Sequence, residues 1–285
     1  MILDLQKGFL MKRILTVQDI SCIGRCSLTV ALPILSAMGL ETAILPTAVL
    51  STHTQFQNVA FRDLTEDLNK ILEHWKQENF TFSTVYTGYL GSKEQIKIVL
   101  ALFEEYKKTG SLLIADPAMG DGGRLYTGFD MDFVQQMTRI CAKADIIVPN
   151  LTEAALMLGT SYRASGYTEA DIKDILKRLC AFGAKTAILT GVSFSDSELG
   201  VMAYDSVSDT FHAYFHEKLP VSYHGTGDCF SSCFSGALTR GESLDASIRL
   251  AADFILECMK KTMADPDRRN YGVNFEQAIP LLIPH

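Results

Sequence analysis

The sequence has 285 residues, 47 % of them hydrophobic, and a formal net charge of −7. That is enough chain for one large α/β domain or two small ones, with apolar content for a sizeable core. The acidic balance argues against a general nucleic-acid binder, but not against a nucleotide ligand, since amides and a helix end can hold phosphates locally.

The opening MILDLQKGFLMKR has no basic leader region and no small-residue cleavage site, so no secretory signal is expected. Residues 1–10 read as an N-terminal extension and 11–285 as one domain. Arg13 to Val17 reads as a buried strand, Ser27 to Met38 as a helix and Glu41 to Leu45 as a second strand. The spacing of Leu64, Leu68, Ile71, Leu72 and Trp75 predicts a helix over Thr65 to Gln77 with one broad apolar face. Ser83 to Thr87 is β-rich, and Ser92 with Gln95 three residues on predicts a capping box opening a helix. Leu112 to Ala115, Ile146 to Val148 and Thr186 to Leu189 read as strands, ending at Asp116-Pro117, Pro149-Asn150 and Thr190-Gly191. Thr168 with Asp171 opens a helix running to Phe182. Gly200 to Tyr204 and Thr210 to Phe215 alternate like an antiparallel pair, and helical segments follow over about 229–240 and 244–262. This alternation predicts a mostly parallel sheet covered by helices, and no apolar run reaches membrane-spanning length.

Seven cysteines, odd in number and scattered, fit a reducing cytoplasm better than a disulfide framework. Cys22/Cys26 and Cys229/Cys233 are spaced i,i+4 without a histidine cluster, so they read as packing residues rather than metal ligands. Cys229, beside a helix start, is also a candidate for an oxidation-sensitive thiolate.

Gly225-Thr226-Gly227-Asp228 before a small-residue helix is the most informative stretch. Two glycines let the backbone turn tightly and converge N–H groups, and the helix adds its positive end. An aspartate there resembles a base beside an anion, which suits phosphoryl transfer to an alcohol; an ordinary N-capped loop is the plainer alternative. Strand ends carry Asp19, the run Asp116 to Asp121, Asn150 with Glu153, and Thr190, where ligands bind in open parallel sheets. Asp116 and Glu153 are candidate Mg²⁺ carboxylates, directly or through water, although a turn-forming Asp-Pro step and a first-turn helix acid account for them as well. Gly120 to Gly128 reads either as a lid over phosphates, with Arg124 as a charge clamp, or as a mobile surface loop. No G-x-x-x-x-G-K-[ST] loop occurs, and Cys22-Ile-Gly-Arg-Cys stands where a dinucleotide fingerprint would be, which counts against a doubly wound dehydrogenase.

With these residues the chain resembles the ribokinase superfamily and, within it, the vitamin B6 kinases acting on pyridoxal, pyridoxine and pyridoxamine. The likeness extends from Met11 over nearly the whole chain. It rests on the Gly225 tetrad together with Ser51-Thr-His-Thr-Gln55, Thr87-Gly-Tyr-Leu-Gly-Ser92, Asp116-Pro-Ala-Met-Gly-Asp121 and Pro149-Asn-Leu-Thr-Glu153. The resemblance implies a ribokinase-like three-layer α/β/α sandwich with a central, mostly parallel sheet. It implies Asp228 as catalytic base and Gly225, Thr226 and Gly227 as an anion hole. Asp116, Asp121, Asn150 and Glu153 match residues near the ATP phosphates and Mg²⁺, with Thr190 and Tyr126 on the nucleotide side. Tyr89, Ala48 and Thr54 match the pyridine pocket, and His53 supports that pocket or contacts the substrate. Members are commonly homodimers, and some need a monovalent cation such as K⁺. Asp19 stands where B6 kinases commonly carry serine, and Leu50 and Thr52 where many carry Phe and Asn. Hydroxymethylpyrimidine kinase, which shares the fold and the tetrad, is the alternative; a non-catalytic binding protein is disfavoured by the retained Asp228 and its glycines.

Overall fold

The computed structural model describes residues 11–283, so the extension at 1–10 lies outside the described residues. Strands β1 (Arg13–Ser21), β2 (Glu41–Leu50), β3 (Phe61–Asp63), β4 (Thr84–Thr87), β5 (Leu112–Ala115), β8 (Ile146–Ile147), β9 (Thr186–Ser195), β10 (Glu198–Asp205) and β11 (Thr210–Glu217) form one nine-stranded sheet. Its order is β11-β10-β9-β8-β5-β4-β1-β2-β3. The pairs from β2 through β9 are parallel, while β3 at one edge and β10 and β11 at the other are antiparallel.

The two-residue period of each strand divides the core. Leu15, Val17, Val85, Leu113, Ala115, Ala187 and Leu189 face one cluster. That cluster is covered by α2 (Thr65–Gln77), α3 (Lys93–Lys108), α4 (Met131–Lys143), α5 (Leu151–Leu158) and α6 (Glu169–Cys180). Ile14, Tyr86, Ile114 and Ile188 face the opposite cluster, built with α1 (Leu28–Ala37), α7 (Thr226–Arg240) and α8 (Leu244–Ala264). Helices on both faces of a mostly parallel sheet give the expected three-layer sandwich. Among the described residues no helix is long and apolar enough to cross a membrane.

Several element boundaries differ from the expectation. β1 runs on to Ser21, so Asp19 lies inside the strand, at a bulge where Gln18 pairs with Pro46 and Ile20 with Val49. β2 continues to Leu50, and β9 continues past Thr190-Gly191 to Ser195 because β10 pairs with it. α4 was not expected, yet Phe133, Val134, Met137, Ile140 and Cys141 recur at helical spacing and Asp130 caps it by accepting from Phe133 N–H at 2.7 Å. Gly120 to Gly128 contains a small hairpin, β6 (Gly120–Asp121) with β7 (Arg124–Leu125), rather than a wholly irregular loop. The Thr168 capping box forms as expected. At Ser92 only half of one does, because Gln95 Oε1 accepts from Gly91 N–H at 2.8 Å and its Nε2 donates to the Thr47 carbonyl and Thr65 Oγ1. Gln95 thereby ties α3 to β2 and α2, a tertiary use of a polar group that a local pattern does not announce.

Candidate active site

The tetrad is the start of α7. The helix begins at Thr226, three residues earlier than expected, with Gly225 as N-cap in the left-handed region at φ 78°. A Cβ on Gly225 would stand 2.2 Å from the Arg25 carbonyl oxygen, so no other residue fits without displacing the loop after β1. The Cys229 N–H is the first to bond back, to the Gly225 carbonyl at 3.0 Å. The amides of Thr226, Gly227 and Asp228 precede it and are left for another acceptor. Gly227 is exposed, and a Cβ there would meet nothing within 4 Å. The tetrad thus faces open space with its amides and the positive end of a fifteen-residue helix.

The loop between β1 and α1 holds Asp228 from the other side. Ser27 N–H donates to Asp228 Oδ2 at 3.0 Å. Ser27 at φ 51° and Arg25 at φ 48° are both in the left-handed region without being glycine. Each costs on the order of 1–2 kcal/mol, so the packing imposes this conformation on the turn that grips the aspartate. Burial pushes the Asp228 carboxyl up to about 6, against the opposing Ser27 N–H.

Three further carboxylates share this space. Asp116, at the end of β5, accepts from Ser231 Oγ at 2.7 Å; burial and the neighbouring Asp228 drive its pKa up. Glu153, in the first turn of α5, accepts from Asn150 N–H at 2.9 Å and Met119 N–H at 3.1 Å, and burial and Asp116 raise it well above the usual range. Asp19 accepts from Ser21 Oγ at 3.0 Å and is lifted to about 6, chiefly by burial. No Lys or Arg is ion-paired with any of the four among the described residues. Such uncompensated buried charge fits a bound cation. Asp116 is the better donor; both Glu153 oxygens are already engaged, so it fits contact through water. No group of three or more His, Cys, Asp or Glu side chains suited to a metal occurs among the described residues, so substrate phosphates and waters would complete the shell.

Asn150 closes a capping box with Glu153, donates to the Gly120 carbonyl at 2.9 Å and bridges to Thr190, so the hairpin, α5 and β9 meet there. The Tyr126 hydroxyl is raised by burial first, then by the negative charge of Glu153, Asp228, Asp121 and Asp116. Asp121 is exposed on the hairpin, with Oδ1 accepting from Gly122 N–H at 2.7 Å. Tyr89 stacks on Phe129 at 5.6 Å and is pushed up to about 12, by burial and then Asp19. Ala48 is buried in β2 beside the Asp19 bulge. Thr54 is exposed, whereas His53 is only 3 % exposed and lies among rings. Cys229 is fully buried and its thiol is driven well up by that burial, so it is no reactive thiolate; the expectation of an oxidation-sensitive site there is overturned.

Two residues of the site were not expected. Ser231 lies one turn after Asp228 on α7, a spacing that could have marked it. Ser27 sits 201 positions from its partner, and nothing local signals the pairing.

The raised carboxyls carry a pH consequence. A carboxyl whose pKa rises on folding stabilises the native state at low pH, and that contribution is lost as pH rises through the folded value. For Asp19 the window runs from the ordinary 3.8 to about 6. Asp19→Asn is therefore expected to raise the Tm of the metal-free protein at pH 8, with the gap closing between pH 6 and pH 4. Thermal unfolding across this range tests it, and a gap independent of pH would contradict it.

A model of the phosphomethylpyrimidine kinase family matches residues 32–273. The chain belongs to this family. Among solved structures, a Bacteroides thetaiotaomicron VPI-5482 protein, provisionally described as a phosphomethylpyrimidine kinase and crystallised with pyridoxal, is 40 % identical over 95 % of this chain and 96 % of its own, with TM-score 0.90. The pyridoxal kinase of Lactobacillus plantarum is 32 % identical over 95 % and 96 % of the two chains, with TM-score 0.86. The first curated relatives are matched over about half their own length. The match covers 57 % of a Caenorhabditis elegans protein named for pyridoxal kinase and 42 % of the Arabidopsis thaliana thiamine biosynthetic bifunctional enzyme. The latter is 27 % identical over 79 % of this chain. These matches place the chain with the pyridoxal kinases of the ribokinase superfamily.

Proposed function

We propose that this chain transfers the γ-phosphoryl group of ATP to the 5′-hydroxymethyl of pyridoxal, pyridoxine or pyridoxamine. The observation that carries the reading is the open, amide-lined start of α7 with Asp228 held at its edge, in a chain similar along nearly its full length to a protein crystallised with pyridoxal. The acceptor hydroxyl lies beside Asp228, which takes its proton as the P–O bond forms; a carboxyl near 6 is ionised at neutral pH and basic enough for late proton loss. The amides of Thr226, Gly227 and Asp228 hold the equatorial oxygens, each such donor being worth about 3 kcal/mol at the transition state. Asp19 and Tyr89 face the acceptor ring; Asn150, Tyr126 and Thr190 face the nucleotide. The hairpin with Asp121 covers the phosphates and excludes water. Asp116, with Glu153 through water, is the place for Mg²⁺, which supplies charge neutralisation of the phosphates when bound.

The family description supports a second reading, in which the acceptor is an aminohydroxymethylpyrimidine. Direct product detection with ATP, Mg²⁺ and K⁺ on the three B6 vitamers and the pyrimidine separates the two. B6 phosphates as main products are expected; exclusive turnover of the pyrimidine overturns the acceptor assignment. We also propose that residues 11–285 act as one domain, in a homodimer, in the cytoplasm. Exposed Phe61 in β3 and Phe56 in the loop before it support the dimer, and seven free cysteines support a reducing compartment.

A further inference from the structure

The approach to the tetrad is weakly held by its own backbone. Between β11, ending at Glu217, and α7, Lys218 N–H donates to the Ser197 carbonyl at 2.8 Å. Among the described residues, positions 219–224 make no backbone–backbone hydrogen bond to another element, and the Gly225 carbonyl accepts only from Cys229 N–H in α7. His224, immediately before Gly225, is instead packed ring on ring. Its imidazole stacks on His53, with centroids 4.3 Å apart and planes at 29°. Phe56 meets His53 edge-on at 4.9 Å, and Tyr271 stands 6.5 Å from it. On the remaining side lies Gly24, where a Cβ would stand 2.5 Å from His53 Cδ2. Gln55 N–H donates to His53 Nδ1 at 3.3 Å, which leaves the proton on Nε2, buried and without a hydrogen-bond partner. His53 is therefore enclosed by four segments: the loop after β1 that grips Asp228, its own loop after β2, the approach to the phosphoryl amides, and the stretch after α8 that carries Tyr271.

We infer that the His53–His224 stack sets the register between the acceptor-side loop 51–60 and the phosphoryl-binding turn, with His224 as a positioning residue for transfer. Leu219, Val221 and Tyr223 pack the connection on the α1/α7/α8 core, and Thr226 Oγ1 donates to the Tyr223 carbonyl at 3.3 Å. On the side of loop 51–60 its position therefore depends on the short-range ring contact, and removing one ring lets His224 and Gly225 shift. A displacement of about 1 Å is enough to cost on the order of a hundredfold in an in-line reaction. Burial lowers the pKa of both rings, that of His53 to about 4, so the stack consists of two neutral imidazoles near neutral pH.

The inference rests on the acceptor reading above, and its test separates the two. Steady-state kinetics at pH 8 with pyridoxal and ATP varied independently are compared for wild type, His224→Ala, His224→Gln and His224→Phe, with thermal unfolding of the same samples. Ala and Gln are expected to lower kcat about tenfold or more while the KM for ATP stays within about twofold. Phe, which keeps a stacking ring, is expected to restore kcat to within about threefold of wild type. A ring serving stability alone would move Tm and leave kcat per folded molecule unchanged at 25 °C. If Ala does not fold, the Phe–Gln pair decides. A wild-type kcat in both non-aromatic variants, or a Phe variant as slow as Gln, overturns the inference. Wild-type turnover of the pyrimidine but not pyridoxal overturns the acceptor reading instead, and the same variants then test the stack on that acceptor.

Discussion

Asp228→Asn is expected to reduce kcat by about two to four orders of magnitude while ATP binding and the fold persist. Asparagine keeps the shape and an oxygen able to accept from Ser27 N–H, so the turn after β1 retains its anchor. It removes the carboxylate proposed to take the proton of the acceptor hydroxyl. Stability should move the other way. The wild-type carboxyl rises from 3.8 to about 6 on folding, so its ionised form is disfavoured in the native state above that range. The neutral amide escapes this cost, and the Tm of the ligand-free variant at pH 7.5 is expected to be no lower than that of wild type. A loss of turnover without a loss of stability is the signature of a side chain retained for chemistry. Single-turnover kinetics, nucleotide titration and thermal unfolding on one preparation check all three statements; a kcat near wild type removes Asp228 as the base.

The two glycines of the tetrad are expected to fail in different ways. Gly227→Val adds its methyl groups to space where a Cβ meets nothing within 4 Å, at an exposed helical position. Its Tm should stay near wild type, apart from a few tenths of a kcal/mol of helix propensity. The added bulk occupies the volume assigned to the transferred phosphoryl, so kcat/KM should fall by a factor on the order of 10²–10³ or more. Gly225→Ala instead places Cβ 2.2 Å from the Arg25 carbonyl oxygen at φ 78°. The left-handed backbone alone costs on the order of 1–2 kcal/mol, and the collision pushes the β1–α1 loop away from Asp228. This variant should lose both Tm and activity. Unfolding curves beside kinetics for the pair are decisive: full activity in Gly227→Val removes the anion-hole assignment, and an unchanged Tm in Gly225→Ala contradicts the close approach.

Much of this site could be read from local pattern. The parallel strands announced themselves as short apolar runs, each ending in a polar residue. Because parallel strands share a direction, those endings were bound to gather at one edge of the sheet. Asp116 and Asn150 follow that logic, whereas the tetrad reaches the same edge as the start of α7, after the connection from β11. α4 shows a signal present but unread, since its apolar period is complete over Phe133 to Cys141. The longer β1 and β9 show a signal that local pattern lacks: Asp19 stays in register only because β2 bulges opposite it, and β9 passes Gly191 only because β10 pairs alongside.

By itself, the sequence determined the class of fold, the glycine turn at the start of a helix and the acid within it, because these depend on period, glycine placement and helix ends, all of which are local. The tertiary structure alone decided how that acid is tuned and held. The Ser27 amide comes to Asp228 from 201 residues away, Ser231 points at Asp116, and His224 closes on His53. Four carboxylates were visible as letters; that no Lys or Arg among the described residues is ion-paired with them, and that desolvation raises their pKa values, follows only from packing that distant segments of the chain supply.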